Sequence, residues 1–64
     1  MSNIGRKIVV THHVEANWYR TGEDYTVLND TRYEGIGVQV VRPGNGHVPD
    51  VVMNGDFEYK KEAK

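Results

Sequence analysis

The chain has 64 residues, a formal net charge of -1 at pH 7 and no cysteine. This length predicts a single domain with a thin stability margin, because a domain of about 60 residues buries only about 60% of the surface that its unfolded chain exposes. The lack of cysteine excludes a disulfide framework and a thiolate metal site. The balanced charge disfavours a protein whose main task is to neutralise nucleic-acid phosphates.

The sequence shows no membrane or export signal. No apolar stretch approaches the roughly 18 residues that a membrane span requires. The apolar run after the basic residues Arg6 and Lys7 covers only residues 8–10, which is too short for an ordinary secretory signal. We therefore expect a cytoplasmic protein.

The first strand is predicted over residues 6–14, which are rich in Val, Ile and Thr. Alternation puts Ile8, Val10 and Val14 on the more apolar face, so this face is expected to meet the core. Residues 15–24 follow as a polar loop, because aromatic residues arrive too soon after its start for a stable helix.

The second and third strands are predicted over residues 24–29 and 35–42, where apolar and polar residues alternate. Ile36 is expected to face the core together with the valines of the same parity. Gly35 and Gly37 are expected to mark a bulge or a sharp bend, which a small barrel needs to turn its corners.

The second half of the chain predicts two more strands. Residues 42–47 carry the strongest turn signal, because proline presets one backbone angle and glycine and asparagine accept positive ones. They predict a hairpin to a fourth strand over residues 48–53, with Pro49 at the strand start or on a sheet edge. Residues 54–56 form the next predicted turn, and residues 57–59 a short final strand.

Together these elements predict an all-β fold, either a small barrel or a strongly bent antiparallel meander of four to five short strands. No part of the sequence shows the apolar stripe of a helix. We expect one domain over residues 6–59, with a flexible N-terminus over residues 1–5 and a charged flexible tail over residues 60–64.

Several stretches resemble the small SH3-like barrels that many tailed bacteriophages encode. They are Gly-Glu-Asp-Tyr-Thr-Val-Leu-Asn-Asp at residues 22–30, the valine-rich third strand with its Gly/Asn hairpin, and Gly-Asp-Phe-Glu-Tyr at residues 55–59. The resemblance covers residues 6–60 and implies an SH3-like barrel. It also implies a viral accessory protein that binds a bacterial host enzyme in the host cytoplasm and modulates or inhibits it.

Metal binding and catalysis find little support in the sequence. A metal site would draw on His12, His13, Glu15 and His47, but neighbouring strand residues point to opposite faces, so at most the last three can converge. We therefore expect no metal and no cofactor. The only serine is Ser2, and no threonine has a recognisable base motif near it, so we expect no enzyme activity and no catalytic residue.

The strongest candidates for function lie in the two polar connections, residues 15–24 and 30–35. These connections combine aromatic rings with carboxylates, and in an SH3-like barrel they are expected to lie close together at one end. We therefore expect a noncatalytic protein-binding module with a protein partner. Trp18 keeps two interpretations, since it can belong to this surface or plug the end of the barrel. The predicted partner-binding residues are Trp18, Tyr19, Glu23, Asp24, Asp30, Tyr33 and Glu34.

A nucleic-acid-associated SH3-like domain is the alternative. First and last strands usually pair in such barrels, so the two basic chain ends are expected to come together. The competing interpretation is an ordinary solvated rim. The residues that would contact nucleic acid are Arg6, Lys7, Lys60 and Lys61.

Overall fold

The computed structural model of the protein describes residues 3–43 and 48–61. This part of the chain is all-β, with five antiparallel strands in one sheet and no helix that could cross a membrane. The strands are β1 (Lys7–Val10), β2 (Asp24–Asn29), β3 (Gly37–Val41), β4 (Pro49–Met53) and β5 (Phe57–Tyr59). They lie in the order β4-β3-β2-β1-β5, which is consistent with the predicted small barrel or bent meander.

β2 belongs to both halves of the sheet and bends between them. Its first half pairs with β1 and its second half pairs with β3. The register shifts between Val27 and Asn29, where β2 carries one more residue than β3. A bulge of this kind bends a strand and increases its twist, so the sheet can curl around its core.

Gly37 allows β3 and β4 to pack closely, and the strand does not bend there. It is the first residue of β3 and pairs in regular register with Met53. A Cβ at this position would run into the carbonyl oxygen of Val52. Gly35 lies in the preceding turn with a φ of 87°, which glycine adopts readily. The prediction of a bulge or sharp bend is therefore wrong at Gly37, whereas Gly35 does lie in a turn. β3 starts two residues later than predicted.

The core is built from the inward faces of four strands and from one residue of a connection. Seven of its eight buried side chains occupy alternating strand positions, as the two-residue period of a strand requires. The eighth, Tyr19, comes from the connection between β1 and β2. Phe57 and Tyr59 of β5 are half-buried and pack against this cluster. The buried side chains are Ile8, Val10, Tyr19, Tyr25, Val27, Val38, Val40 and Val52.

Two residues that were predicted to face the core lie on the surface. Val14 is 54% exposed, because β1 ends at Val10 and the chain leaves the sheet there. Ile36 is 52% exposed, because it precedes β3 and lies in the turn after β2. In both cases the apolar alternation of the sequence continues beyond the residues that pair.

Other boundaries agree with the predictions. β2 and β5 have the predicted bounds. Pro49 is the first residue of β4, and β4 is an edge strand, so the proline occupies both positions expected of it. Of the predicted turn, residues 44–47 lie outside the described residues, but the pairing of Val41 with Pro49 confirms the hairpin.

The described parts of the chain ends continue the sheet. The Gly5 N–H donates to the carbonyl of Val27 at 2.8 Å, and the Lys60 N–H donates to the carbonyl of Lys7 at 2.9 Å. Both donors belong to segments that were predicted to be flexible. The outermost residues of these segments, 1, 2 and 62–64, lie outside the described part of the chain.

Replacing Gly37 with alanine is expected to destabilise the fold by about 1–3 kcal/mol, because the new methyl group must push β3 away from the Val52 carbonyl. Gln39→Ala is the matched control, since this residue lies on the same strand, pairs with Val51 and already carries a Cβ. Urea unfolding of both variants measures the difference. Equal stability of the two variants would contradict the close approach of β3 and β4 at this position.

Candidate functional site

Trp18 and Tyr19 bind the outer edge of β4. The alternating bonds of the β3–β4 ladder leave the backbone groups of Val51 and Met53 facing away from β3. The Trp18 Nε1–H donates to the Val51 carbonyl at 2.8 Å, and the Met53 N–H donates to the Tyr19 hydroxyl oxygen at 3.3 Å. Side chains of the first connection therefore take the place of a neighbouring strand.

The remaining outward groups of these two residues are bonded as well. The Val51 N–H donates to Asp50 Oδ1 at 2.8 Å, and the Met53 carbonyl accepts the Asp56 N–H at 3.1 Å. Pro49, at the start of β4, has no N–H to offer. An edge strand with unbonded groups is a template for another strand, and at Val51 and Met53 this edge of the sheet is sealed.

This arrangement corrects the prediction for the two aromatic residues. Tyr19 is only 1% exposed and belongs to the core, so its ring is not part of a binding surface. Trp18 is half-buried and packs edge-on against Tyr19 and Tyr25, with ring centroids 5.3 and 5.0 Å away. The Arg42 guanidinium covers the Trp18 ring at 5.2 Å. Of the two interpretations left open for Trp18, packing against the barrel is the one observed.

Asp56 ties the first connection to β5. Its Oδ2 accepts the Tyr19 hydroxyl at 2.5 Å, and its backbone carbonyl accepts the Thr11 N–H at 2.8 Å. Burial raises the pKa of Tyr19, and the hydrogen bond to Asp56 raises it further. Asp56 was predicted only as a turn residue, because the buried hydroxyl that needs this acceptor lies 37 positions away.

The two predicted binding carboxylates of the first connection have partners within the chain. Glu23 Oε1 accepts the Tyr25 hydroxyl at 2.5 Å and the Arg20 N–H at 2.8 Å. The bond from Tyr25 is the main cause that lowers the pKa of Glu23, while burial and the same bond raise the pKa of Tyr25. Asp24 Oδ2 accepts from Lys60 Nζ at 2.8 Å on the surface.

The two polar connections lie at opposite ends of β2, and so the expectation that they meet does not hold. The first connection enters β2 at Asp24 and the second leaves it after Asn29, about 16 Å further along a strand of this length. Trp18 contacts Tyr25 near the start of β2. The backbone carbonyl of the half-buried Tyr33 instead accepts the N–H of Gly37, the first residue of β3, beside the end of β2.

A groove of about 390 Å³ lies between the second connection and β5. It brings together two predicted residues, Asp30 and Glu34, with the rings of Phe57 and Tyr59. The two rings meet edge to face with their centroids 5.6 Å apart. No lysine, arginine or histidine among the described residues lines the groove, so its wall is acidic and aromatic.

The residues around the groove differ in how firmly they are held. Asp30 Oδ2 accepts the backbone N–H of Asn3 at 2.7 Å, and Asn3 Oδ1 accepts from the Arg6 guanidinium at 3.0 Å. The same guanidinium lies 4.5 Å from the centroid of the Tyr59 ring. The exposed Glu34 carboxylate makes no hydrogen bond or ion pair with any described residue. It is therefore available to a ligand.

Pairing of β1 with β5 places the two basic chain ends side by side. Arg6 and Lys7 lie at the start of β1, and Lys60 and Lys61 follow β5. Lys60 is held by Asp24, and the Arg6 guanidinium lies over an aromatic ring. The positive surface that would contact nucleic acid is thus partly engaged within the chain.

The histidines that the structure describes have structural roles. His13 Nδ1 accepts the Thr21 backbone N–H at 3.0 Å and contacts Thr21 Oγ1 at 2.8 Å, which closes the loop before Gly22. In residues 3–43 and 48–61, no group of three or more His, Asp or Glu is arranged to hold a metal ion. His47, which the sequence analysis considered as a ligand, lies outside these residues.

Comparison with known proteins does not assign a function to this arrangement. No family model, no curated protein and no solved structure matches the chain. The candidate site therefore rests on the geometry of its own residues, above all on the groove beside β5.

Because two tyrosines are buried, we expect the free energy of unfolding to fall above about pH 10. Because the pKa values of Tyr19 and Tyr25 are raised in the folded state, both keep their protons at pH values where the unfolded chain ionises. Their contribution to stability is complete below the unfolded pKa and declines as pH rises, by up to about 1.4 kcal/mol per pH unit for each tyrosine.

Tyr25→Phe tests this dependence, since it removes one of the two groups. We expect the slope of unfolding free energy against pH to become shallower than in the wild type. Urea unfolding at several pH values from about 9 to 11 measures this slope. An unchanged slope in Tyr25→Phe would show that Tyr25 keeps an ordinary pKa in the folded protein.

Proposed function

We propose that this chain is a noncatalytic protein-binding module and that the groove beside β5 is its contact surface. One observation carries the proposal: two half-buried rings, Phe57 and Tyr59, share a groove with the carboxylates Asp30 and Glu34. Aromatic rings bury a large area at small entropic cost and dominate the energetics of many interfaces. Carboxylates at the rim add specificity through charge.

The chemistry of the groove supports binding over catalysis. Its threonine, Thr31, donates its hydroxyl to Asn29 Oδ1 at 3.2 Å, so it has no general base beside it. The described lining residues include no histidine or lysine, and of the two carboxylates Asp30 already accepts the Asn3 backbone N–H. This composition supports a surface that holds a partner.

The resemblance to phage-encoded SH3-like barrels supports a bacterial host protein as the partner. In that setting the chain acts in the host cytoplasm and modulates or inhibits the protein it binds. The pairing of the first strand with the last supports the SH3-like part of this proposal, because such barrels usually pair these strands. The proposed contact surface excludes the predicted residues that do not line the groove, namely Trp18, Tyr19, Glu23, Asp24 and Tyr33. Asp30 is kept because it lines the groove, although it also accepts the Asn3 backbone N–H.

Glu34→Lys is expected to reduce capture of the partner from bacterial lysate by about fivefold, because it puts a like charge where a basic group of the partner binds. The fold is expected to survive, since this side chain makes no bond to a described residue. Glu15→Lys is the matched control, with the same charge change on an exposed residue of the first connection. Quantitative mass spectrometry of the proteins retained by the three immobilised chains provides the measurement.

The pull-down has two outcomes that count against the proposal. A protein retained equally by wild type, Glu34→Lys and Glu15→Lys would place the contact surface away from the groove. The absence of any protein retained specifically by the wild type would contradict the protein-binding function itself. Thermal unfolding of each variant shows that lost capture does not come from lost folding.

The adjacency of the basic ends favours a second candidate, a nucleic-acid-associated domain. It would bind phosphates through Lys7 and Lys61 together with Arg6 and Lys60, which already have contacts in the chain. If the chain has this function, its binding to DNA or RNA weakens steeply with salt. The binding is also lost in Lys7→Glu. Glu34→Lys would leave such binding unchanged or improve it, so the same variant separates the two functions.

A further inference from the structure

No described residue pairs with the outer edge of β5. The Lys60 N–H donates to the Lys7 carbonyl at 2.9 Å, which sets the alternation of bonded pairs along the β1–β5 ladder. In an antiparallel ladder the residues between bonded pairs turn their backbone groups to the other side. Phe57 and Tyr59 therefore point their N–H and C=O groups away from β1.

The two edges of the sheet differ in the hydrogen bonding of their outward backbone groups. None of the outward backbone groups of Phe57 and Tyr59 has a hydrogen-bond partner among residues 3–43 and 48–61. The corresponding groups of Val51 and Met53 on β4 are all bonded, two of them by aromatic side chains. The chain thus seals one edge and leaves the other available to a further strand.

The acidic groove lies directly beside this open edge. Successive side chains of an added strand would point to opposite faces, so every second one would enter the groove next to Phe57 and Tyr59. There it would meet the carboxylates of Asp30 and Glu34. The described lining residues include no cation, and the nearby Arg6 guanidinium is bonded to Asn3 Oδ1 and lies against the Tyr59 ring. An arginine or lysine fits this position, because its apolar stem can lie along the rings while its charged end reaches the carboxylates.

We propose that β5 binds an extended segment of the protein partner by strand addition, and that this segment places an arginine or lysine in the groove. The inference rests on the proposed protein-binding function and adds its mode and the chemistry of the ligand. Backbone bonds to Phe57 and Tyr59 supply affinity, while the groove selects the side chain. Since β5 has only three residues, the groove contact is needed for specificity.

A second copy of this chain does not match the groove. Two β5 strands paired edge to edge would turn the same face of each copy inward. The residues of β5 on that face are Phe57 and Tyr59, so the second copy would offer aromatic rings and no cation to the carboxylates. The charge of the groove therefore favours a basic segment of another protein over self-association.

A defined peptide tests the proposal. The probe is the heptapeptide Thr-Val-Thr-Arg-Thr-Val-Thr, which places Val, Arg and Val on one face of an extended strand. One control peptide has Glu in place of Arg, and another is N-methylated at two consecutive central residues, so that neither of its edges can pair. Each is titrated into the full-length, isotope-labelled protein and followed by NMR.

We expect the Arg peptide to shift the amide signals of Phe57 and Tyr59 and to show cross-strand proton contacts to them, with a dissociation constant on the order of 1 mM. The Glu peptide is expected to bind about fivefold more weakly, and the N-methylated peptide not to bind. Glu34→Lys should abolish or reverse the preference for Arg over Glu. Glu15→Lys should keep it.

Three results would overturn strand addition at β5: no binding of the Arg peptide, shifts confined to residues away from β5, or equal binding of the Arg and Glu peptides. The proposed function is tested separately, by the capture of a partner from bacterial lysate. If Glu34→Lys loses the lysate partner while the peptide fails to engage β5, the groove binds a protein by another mode. If neither the partner nor the peptide depends on Glu34, both proposals are wrong.

Discussion

The hydrogen bonds that join the Trp18 and Tyr19 side chains to the edge of β4 hold this fold together. A five-stranded sheet that curls without closing leaves a seam, and the backbone groups along that seam need partners where side chains cover them. The Val51 carbonyl and the Met53 N–H find those partners in an indole and a phenol. Leaving one such group unbonded typically costs about 1–3 kcal/mol, a large share of the stability of so small a domain.

These bonds to β4 explain the arrangement of side chains in the first connection. The Tyr19 hydroxyl both accepts from Met53 and donates to Asp56, so a single ring joins β4, the first connection and the turn before β5. Glu23 and His13 then hold the rest of the connection through Tyr25 and Thr21. Side chains that look like surface features in the sequence thus complete a core that four strands alone are too short to enclose.

The same bonds leave the two edges of the sheet unequal. β4 is covered by the first connection, whereas β5 faces the second connection across an acidic groove. In the proposed binding mode, the backbone of the partner pairs with β5 and the acidic residues of the second connection select its side chain. Glu23 and Asp24 of the first connection instead bond within the chain.

Much of the fold follows from the sequence, because alternation and turn residues act locally. They predict the all-β class, the bounds of β2 and β5 and the position of Pro49. Alternation shows which face is apolar but not where pairing stops, which is why Val14 and Ile36 were expected in the core.

The site was harder to predict, because it depends on which strands become edges. Asp30 and Glu34 were predicted, and they line the groove. Tyr19 was expected on the surface because its partner strand lies more than 30 residues away in the sequence. Phe57 was predicted only as part of the final strand, since the open side of β5 follows from the strand order and not from any local pattern.

Amide hydrogen exchange of the free protein tests the unequal edges most directly. If Tyr19 seals β4, the Met53 amide exchanges slowly, at a rate close to that of amides bonded inside the sheet. The amides of Phe57 and Tyr59 exchange quickly, near the rates of an unfolded chain, because nothing in the described structure bonds them. Fast exchange at Met53, or protection of Phe57 and Tyr59 in the free protein, would contradict the account.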